Sequence, residues 1–257
     1  TQVFRLAPAM GRGALLEHSS RQSRCGHFGL LAARSFQLSD TGLFGAVALS
    51  SPTVGRALRE FNRRWHLHDN AAIGLVRRID QRRVALTYAI LDGNTPGASE
   101  ITDGALAMLY RSMRELAGPD WFAERVLMSR RRPRSALPYR RFFGADVRFD
   151  AEVSALVFDD AWLSRPVAGA DGERHRSLTS CIDAAGSAHG SDWPTTVRFA
   201  TCSKLLAGDA SALRVASHLG VSRRTLSLRL DACGTSFREL SDEVQFNLAL
   251  HMLRNTS

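Results

Sequence analysis

The stretch ALRVASHLGVSRRTLSLRLDACGTSFREL, residues 212–240, decides how this chain is read. It breaks once, at Leu219-Gly220-Val221-Ser222, and both flanks have helical spacing. On the first side Ser211 can cap a helix with Val215, Ala216 and Leu219 on its apolar face, and Gly220 supplies the positive φ that ends it cheaply. On the second, Ser222 can cap a helix that faces Leu226 and Leu230 inward and stops at Gly234. Ser236 and Glu239 then form an S-x-x-E capping box for a longer helix with a stripe at Phe237, Leu240, Val244, Leu248 and Met252.

Two short helices joined by a tight turn containing glycine form a helix-turn-helix, whose second helix lies in the DNA major groove. The residue types suit that use. Small Ala216 lets the helices cross closely and Val221 plugs the turn from within. With Leu226 and Leu230 inward, Arg224, Ser227 and Leu228 form an outward stripe at i, i+3, i+4. Arg224 is the candidate for a base edge, because arginine donates two hydrogen bonds to guanine O6 and N7. Arg223 and Arg229 flank it as candidate phosphate contacts, with Ser222, Thr225 and the amides at the helix start beside them. The competing reading is a helical hairpin that only packs, its arginines on a solvated face.

Upstream, Pro194 can start a helix that runs through Val197, Ala200 and Leu205, so everything from Pro194 onward reads as all-helical. The stretch 166–194 is rich in Gly, Ala and Ser, with a weak apolar patch at Leu178, Cys181 and Ile182 that fits a short helix; it reads as an interdomain connector. Before it the pattern is mixed. Residues 52–65 place Val54, Leu58, Phe61 and Trp65 on one helical face, with Ser51 as cap and Pro52 at the first position. Residues 72–78 and 83–91 form a hairpin around Asp80-Gln81-Arg82. Residues 99–117 return to helical spacing up to Gly118-Pro119, and 123–129 and 155–158 read as strands. Strict βαβ alternation is lacking, so the expected fold is an α+β domain with an antiparallel sheet, then an all-α helix-turn-helix subdomain. The expected divisions are 1–168 for sensing and dimerisation, 169–193 for the linker and 194–257 for the helix-turn-helix with its connecting helix.

Composition bounds the function. The chain has 257 residues, 44% hydrophobic and 23% charged, enough for a real core. Net charge is +9, and Lys204 is the only lysine, so the cationic charge is almost all arginine and points to a polyanionic partner. Of that excess, +3 lies from Pro194 onward; the remainder is concentrated in SRRRPRSALPYRR, residues 129–141, either a phosphate-facing surface or a solvated loop. No apolar run is long enough to cross a bilayer and residues 1–11 lack the order of a secretory signal, so a cytoplasmic protein without membrane contact is expected. Cys25, Cys181, Cys202 and Cys233 have no disulfide or zinc spacing, and His66, His68 and Asp69 read as solvated; no metal and no cofactor is expected. No phosphate-binding glycine loop, nucleophile elbow or paired metal ligands are present, which argues against an enzyme. Phe44, Phe61, Trp65, Tyr88, Met108, Tyr110, Phe142 and Phe158 either line an apolar effector pocket or are plain core, and core is the commoner outcome at such spacings. No effector residue is assigned.

The segment VASHLGVSRRTLSLRLDACGTSFRELSDEVQFNLALHML, residues 215–253, resembles the first helix-turn-helix and connecting helix of the arabinose-regulator (AraC/XylS) family of bacterial transcription factors. Residues 27–58 and 138–167 resemble the N-terminal sensor, the arabinose-binding-type domain, of one of its subgroups. The resemblance implies a sequence-specific regulator that binds a small-molecule effector and forms a homodimer through the N-terminal domain, reads promoter DNA with the C-terminal one, and contacts RNA polymerase if it is an activator. The family's base-reading positions fall on Arg224, Ser227 and Leu228. Relatives often carry Gln-Arg where this chain has Ser227-Leu228, so readout there is expected to be weaker or apolar, as with Leu228 against a thymine methyl. Family members also carry a second helix-turn-helix, which is absent before Ser257; the N-terminus is short by several helical turns as well. The sequence is either a fragment of a longer product or a shortened protein, and a single unit is expected to bind DNA weakly with strong salt dependence. The alternative is a ligand-binding or dimerisation module that has lost autonomous DNA binding and acts through a partner protein.

Overall fold

The computed structural model describes residues 9–64, 72–90, 94–188, 193–206 and 208–256. Its frame is a hairpin, β1 (Ala72–Arg78) and β2 (Arg83–Ile90), paired in register from Ala72 opposite Ile90 to Arg78 opposite Val84. Asp80 makes the turn: its Oδ1 accepts the backbone N–H groups of Arg82 and Arg83, both at 2.9 Å. Those bonds hold its carboxyl below the usual range. β5 (Ser154–Asp159) pairs antiparallel with β2, β3 (Arg125–Leu127) antiparallel with β5, and β4 (Asp146–Arg148) parallel with β3, giving the order β1-β2-β5-β3-β4. The sheet is therefore antiparallel except at one three-residue edge.

Alternation along β2 puts Val84, Leu86, Tyr88 and Ile90 on the main core. There they meet α5 (Ala98–Ala117), which buries Leu106, Leu109, Met113 and Leu116 at 3, 4 and 3 spacing. Gly118 ends that helix at φ +95°, in the left-handed region, as its Gly-Pro sequence predicts. Shorter helices pack around this centre: α1 (Ala9–Gln22), α2 (Phe28–Ala32), α3 (Leu43–Leu49), α4 (Val54–Arg64) and α6 (Leu137–Phe143). The start of α4 corrects one expectation. Thr53, not Ser51, receives the Arg56 N–H on its Oγ1 (3.2 Å), while the buried Ser51 hydroxyl donates to the Val47 carbonyl (2.9 Å). The bridge between Thr53 and Pro166 and the bond from Val54 N–H to Arg165 C=O fix the chain there, so the helix starts later.

Where a connector is expected, 17 residues form α7 (Gly172–Ala188). Its start is fixed by Asp171, whose Oδ1 accepts the N–H groups of Glu173 and Arg174, each at 3.0 Å. Ile182 and Leu178 pack on Phe44 and Val47 of α3, and Arg64 forks onto Asp183 at 2.7 and 2.9 Å. Few apolar residues suffice because a bidentate ion pair supplements them.

Four helices complete the chain: α8 (Trp193–Leu206), α9 (Ala212–His218), α10 (Arg223–Asp231) and α11 (Phe237–Thr256). They enclose a core of their own, with Val197, Ala200, Val215, Ala216, Leu226, Leu230 and Leu240. This lobe is not tethered loosely. α8 packs along β1, an edge strand that would otherwise offer unpaired backbone, and Phe199, Cys202 and Val244 join the same apolar cluster as the sheet. Among the described residues no helix is long and apolar enough to cross a membrane.

Cys202 reports on this seat. It is 1% exposed, and burial pushes its thiol up to about 12, whereas Cys181 and Cys233 are exposed. At pH 8 it then carries roughly a thousandfold less thiolate than an ordinary cysteine. Disulfide-exchange titration is expected to label Cys181 and Cys233 rapidly and Cys202 slowly, with the slow phase lost in 6 M urea. Four equally fast thiols would place α8 off the sheet.

Candidate nucleic-acid interface

α9 (Ala212–His218) follows Ser211, whose hydroxyl makes no capping bond; Asp209 accepts the Ser211 N–H (3.3 Å) and pairs with Arg214 (3.0 Å), which ties the preceding turn to the helix. Val215 and Ala216 are buried, and Ala216 accepts the Val221 N–H on its carbonyl at 3.0 Å. Gly220 turns the chain at φ +68°. No neighbour would obstruct a Cβ there, so the glycine is needed for its backbone conformation and not for space. Val221 packs partly buried against the lobe core, as its apolar character predicts.

Ser222 then adopts an extended conformation and its Oγ accepts the Thr225 N–H at 3.0 Å; the two hydroxyls also lie 2.8 Å apart. That is the bond a serine N-cap makes, and substituting such a cap costs about 1 kcal/mol. Leu226 and Leu230 are buried, four residues apart. The same rotation leaves Arg223, Arg224, Ser227, Leu228 and Arg229 exposed and Thr225 half-buried. Leu228 is 56% exposed, an apolar side chain held in water on the face opposite the core. Among the described residues Arg223 and Arg224 have no acidic partner within ion-pair distance, and both guanidinium groups are exposed.

Arg229 differs from its neighbours. Its guanidinium lies 4.7 Å from the ring centroid of Trp193, a cation–π contact that fixes the side chain against the start of α8. At the far end, Gly234 turns at φ +72° and the capping box closes: the Ser236 N–H donates to Glu239 Oε2 (2.8 Å) and the Glu239 N–H to Ser236 Oγ (3.2 Å). The Ser236 N–H is the main reason the Glu239 carboxyl sits below its ordinary range. Helix α11 keeps Leu240 and Val244 buried and leaves Phe246 68% exposed; Met252 lies outside the described side chains.

This arrangement is a helix-turn-helix with its second helix outward, attached to an α+β domain of the expected kind. Residues 6–167 match the family described as the arabinose-binding domain of AraC transcription regulators, N-terminal. The chain belongs to that family. It is 26% identical over 242 residues to the ornithine utilization regulator of Pseudomonas aeruginosa, covering 92% of this chain and 70% of that protein. Its fold resembles the crystal structure of the transcriptional regulator CdpR from Pseudomonas aeruginosa, with a TM-score of 0.55 at 22% identity over 88% of this chain and 74% of that one. This AraC-type chain is thus a transcriptional regulator and not an enzyme.

The regulator's sensor domain holds a charged group that reading the sequence missed. Asp103, on the inward face of α5 and 0% exposed, accepts on Oδ2 from Tyr139 Oη (2.6 Å) and from Arg130; Arg130 also reaches Tyr139 (2.6 Å) and the Gly26 carbonyl (3.1 Å). Glu100, one turn earlier, accepts the Gly29 N–H (2.8 Å) and the Ser20 hydroxyl (3.2 Å) and lies 3.8 Å from Arg130. Burial lifts the Asp103 carboxyl to about 7, against the pull of Arg130 and Tyr139. Burial also keeps the Tyr139 phenol protonated, with Asp103 adding to it. Arg130 is thus an internal cation, while Arg131, Arg132, Arg134, Arg140 and Arg141 of the same run are exposed. The expected aromatic lining is mostly core: Tyr88 and Phe158 sit in the main cluster, and Tyr110 packs among Trp121, Phe142 and Phe143. Phe44 meets Phe61 edge to face at 4.6 Å, Met108 packs partly buried on the core, and Trp65, His66, His68 and Asp69 lie outside the described residues.

Proposed function

We propose that this regulator binds promoter DNA sequence-specifically through α10, in response to a small-molecule effector taken up by the domain that spans residues 1–168. The linker would then be 169–193 and the DNA-binding part 194–257. The observation that carries this reading is the outward face of α10, with exposed Arg223 and Arg224 at its start and Ser227 and Leu228 one turn on, over a locked turn. In the major groove Arg224 donates to guanine O6 and N7, and Leu228 lies against a thymine methyl. Arg223 and the first amides of α10 grip phosphate. Arg229, stacked on Trp193, is held in place to do the same at the other flank. A homodimer and a contact with RNA polymerase belong to this proposal by family likeness.

Competition binding on promoter DNA tests it. Arg224→Ala is expected to lose about 1–3 kcal/mol of discrimination at one base pair and to relax preference there. Arg223→Ala is expected instead to weaken all sequences alike and to lower the salt slope by about 1. Equal behaviour of the two variants would contradict the assignment. The exposed Leu228 and small Ser227 favour one second reading, a module that acts through a partner protein. In that case neither substitution changes promoter binding, because the isolated chain has none.

A further inference from the structure

The second half of α5 and helix α6 enclose an open cleft of about 400 Å³ lined by Tyr110, Arg111, Arg114, Glu115, Pro119 and Phe142. One wall is apolar and fixed. Tyr110 lies 5.3 Å from Trp121, 5.9 Å from Phe142 and 5.4 Å from Phe143, ring centre to ring centre, so its ring cannot swing away without disturbing the core. The other wall is charged. Arg111 and Glu115, four residues apart, would ordinarily pair across the helix. Here both turn to the chain at 36–38: Arg111 donates its Nε to the Phe36 carbonyl, and Glu115 accepts the Leu38 N–H on both oxygens, at 3.0 and 3.1 Å.

Glu115 is therefore tethered and does not neutralise its neighbours by direct contact. Among the described residues the exposed Arg114 side chain makes no hydrogen bond or ion pair, and Arg111 commits only its Nε, which leaves its Nη donors for a ligand. Two guanidinium groups three residues apart repel each other, an arrangement that an anion between them relieves. Arginine favours planar, two-oxygen acceptors. With Glu115 alongside, the cleft has a single net positive charge, which suits a monoanion better than a phosphate dianion. Its volume falls in the range of small-molecule sites, roughly 300–1,000 Å³.

We propose that this cleft binds a small organic carboxylate whose aromatic or aliphatic body lies against Tyr110, Phe142 and Pro119, and that it is the effector site of the sensor domain. The proposal rests on the effector-responsive reading above. The carboxylate takes Nη donors from Arg111 and Arg114, and the body covers the apolar wall.

Phenylacetate, phenylacetamide and phenyl phosphate are the probes, titrated into the full chain and followed by melting temperature and calorimetry. Phenylacetate is expected to raise the melting temperature with concentration, and the uncharged amide to leave it unchanged. Arg114→Gln, a substitution on an exposed helix face, is expected to leave the unliganded melting temperature in place while weakening phenylacetate by about 10- to 100-fold. No shift with phenylacetate, an equal shift with the amide, tighter binding of phenyl phosphate, or an unchanged affinity in Arg114→Gln would overturn the site. Promoter binding is measured in parallel. Arg224-dependent DNA binding without phenylacetate binding removes the cleft alone; phenylacetate binding that leaves promoter affinity unchanged removes its effector role.

Discussion

Arg130→Ala is expected to cost the fold about 3–5 kcal/mol at pH 7.5, the loss that follows when one partner of a buried ion pair is removed. Arg130 is 14% exposed and is the cation of a group that otherwise holds two carboxyls, Asp103 and Glu100, and the Tyr139 phenol. Without it, Asp103 and Glu100 face each other in a dry site, and the Gly26 carbonyl loses a donor that ties the start of α2 to α5. Denaturant unfolding followed by tryptophan fluorescence checks the value, and a loss below about 1 kcal/mol would show that the pair is solvated. Asp103 adds a pH signature. Its folded value of about 7 lies above the 3.8 of an ordinary aspartate, so the native state holds a proton that the unfolded chain releases between those values. The stabilising contribution is complete below about 4 and is lost as pH rises through 7. Asp103→Asn keeps an acceptor for Arg130 and Tyr139 and is expected to flatten that part of the stability profile.

Leu230→Ala is expected to cost about 2–5 kcal/mol, as for other fully buried leucines. The effect should be local. Leu230 is 0% exposed in the small core of α8 to α11, a core separate from the one beneath the sheet, although Phe199, Cys202 and Val244 touch the latter. Hydrogen exchange is the discriminating measurement: amides of α9 and α10 lose protection, while those of β2 and α5 keep theirs. Protection lost evenly along the chain would mean that lobe and sensor unfold as one unit.

The elements legible in the sequence were those with a clean period and a sharp stop. The β1–β2 hairpin alternates around an Asp turn, α5 runs at helical spacing to Gly118, and Gly220, Ser222, Gly234 and the Ser236–Glu239 box punctuate the C-terminal helices. Elements that depend on distant partners were not legible. β4 is three residues long and exists because β3 lies beside it; α7 was legible only as a short helix around Leu178, Cys181 and Ile182, because it has little apolar surface and is secured by the Arg64–Asp183 pair, 119 residues apart. Arg130 is the same case. Read locally it is one arginine in a basic run, yet its partners stand on α5 and α6. A local hint existed, since Glu100 and Asp103 fall on the face of α5 that also carries Leu106, Ala107 and Tyr110. The outward set on α10 followed from helical geometry once Leu226 and Leu230 were placed inward. The stacking of Arg229 on Trp193 did not, because that contact crosses 36 residues of chain.

In the proposed complex Arg224 meets a guanine in the major groove. Guanine methylation interference tests it most directly, because a methyl group on N7 blocks the acceptor that arginine uses. One methylated guanine in the bound site is expected to exclude the wild-type protein and no longer to affect Arg224→Ala, while interference elsewhere is unchanged. An identical interference pattern for the two proteins would contradict it.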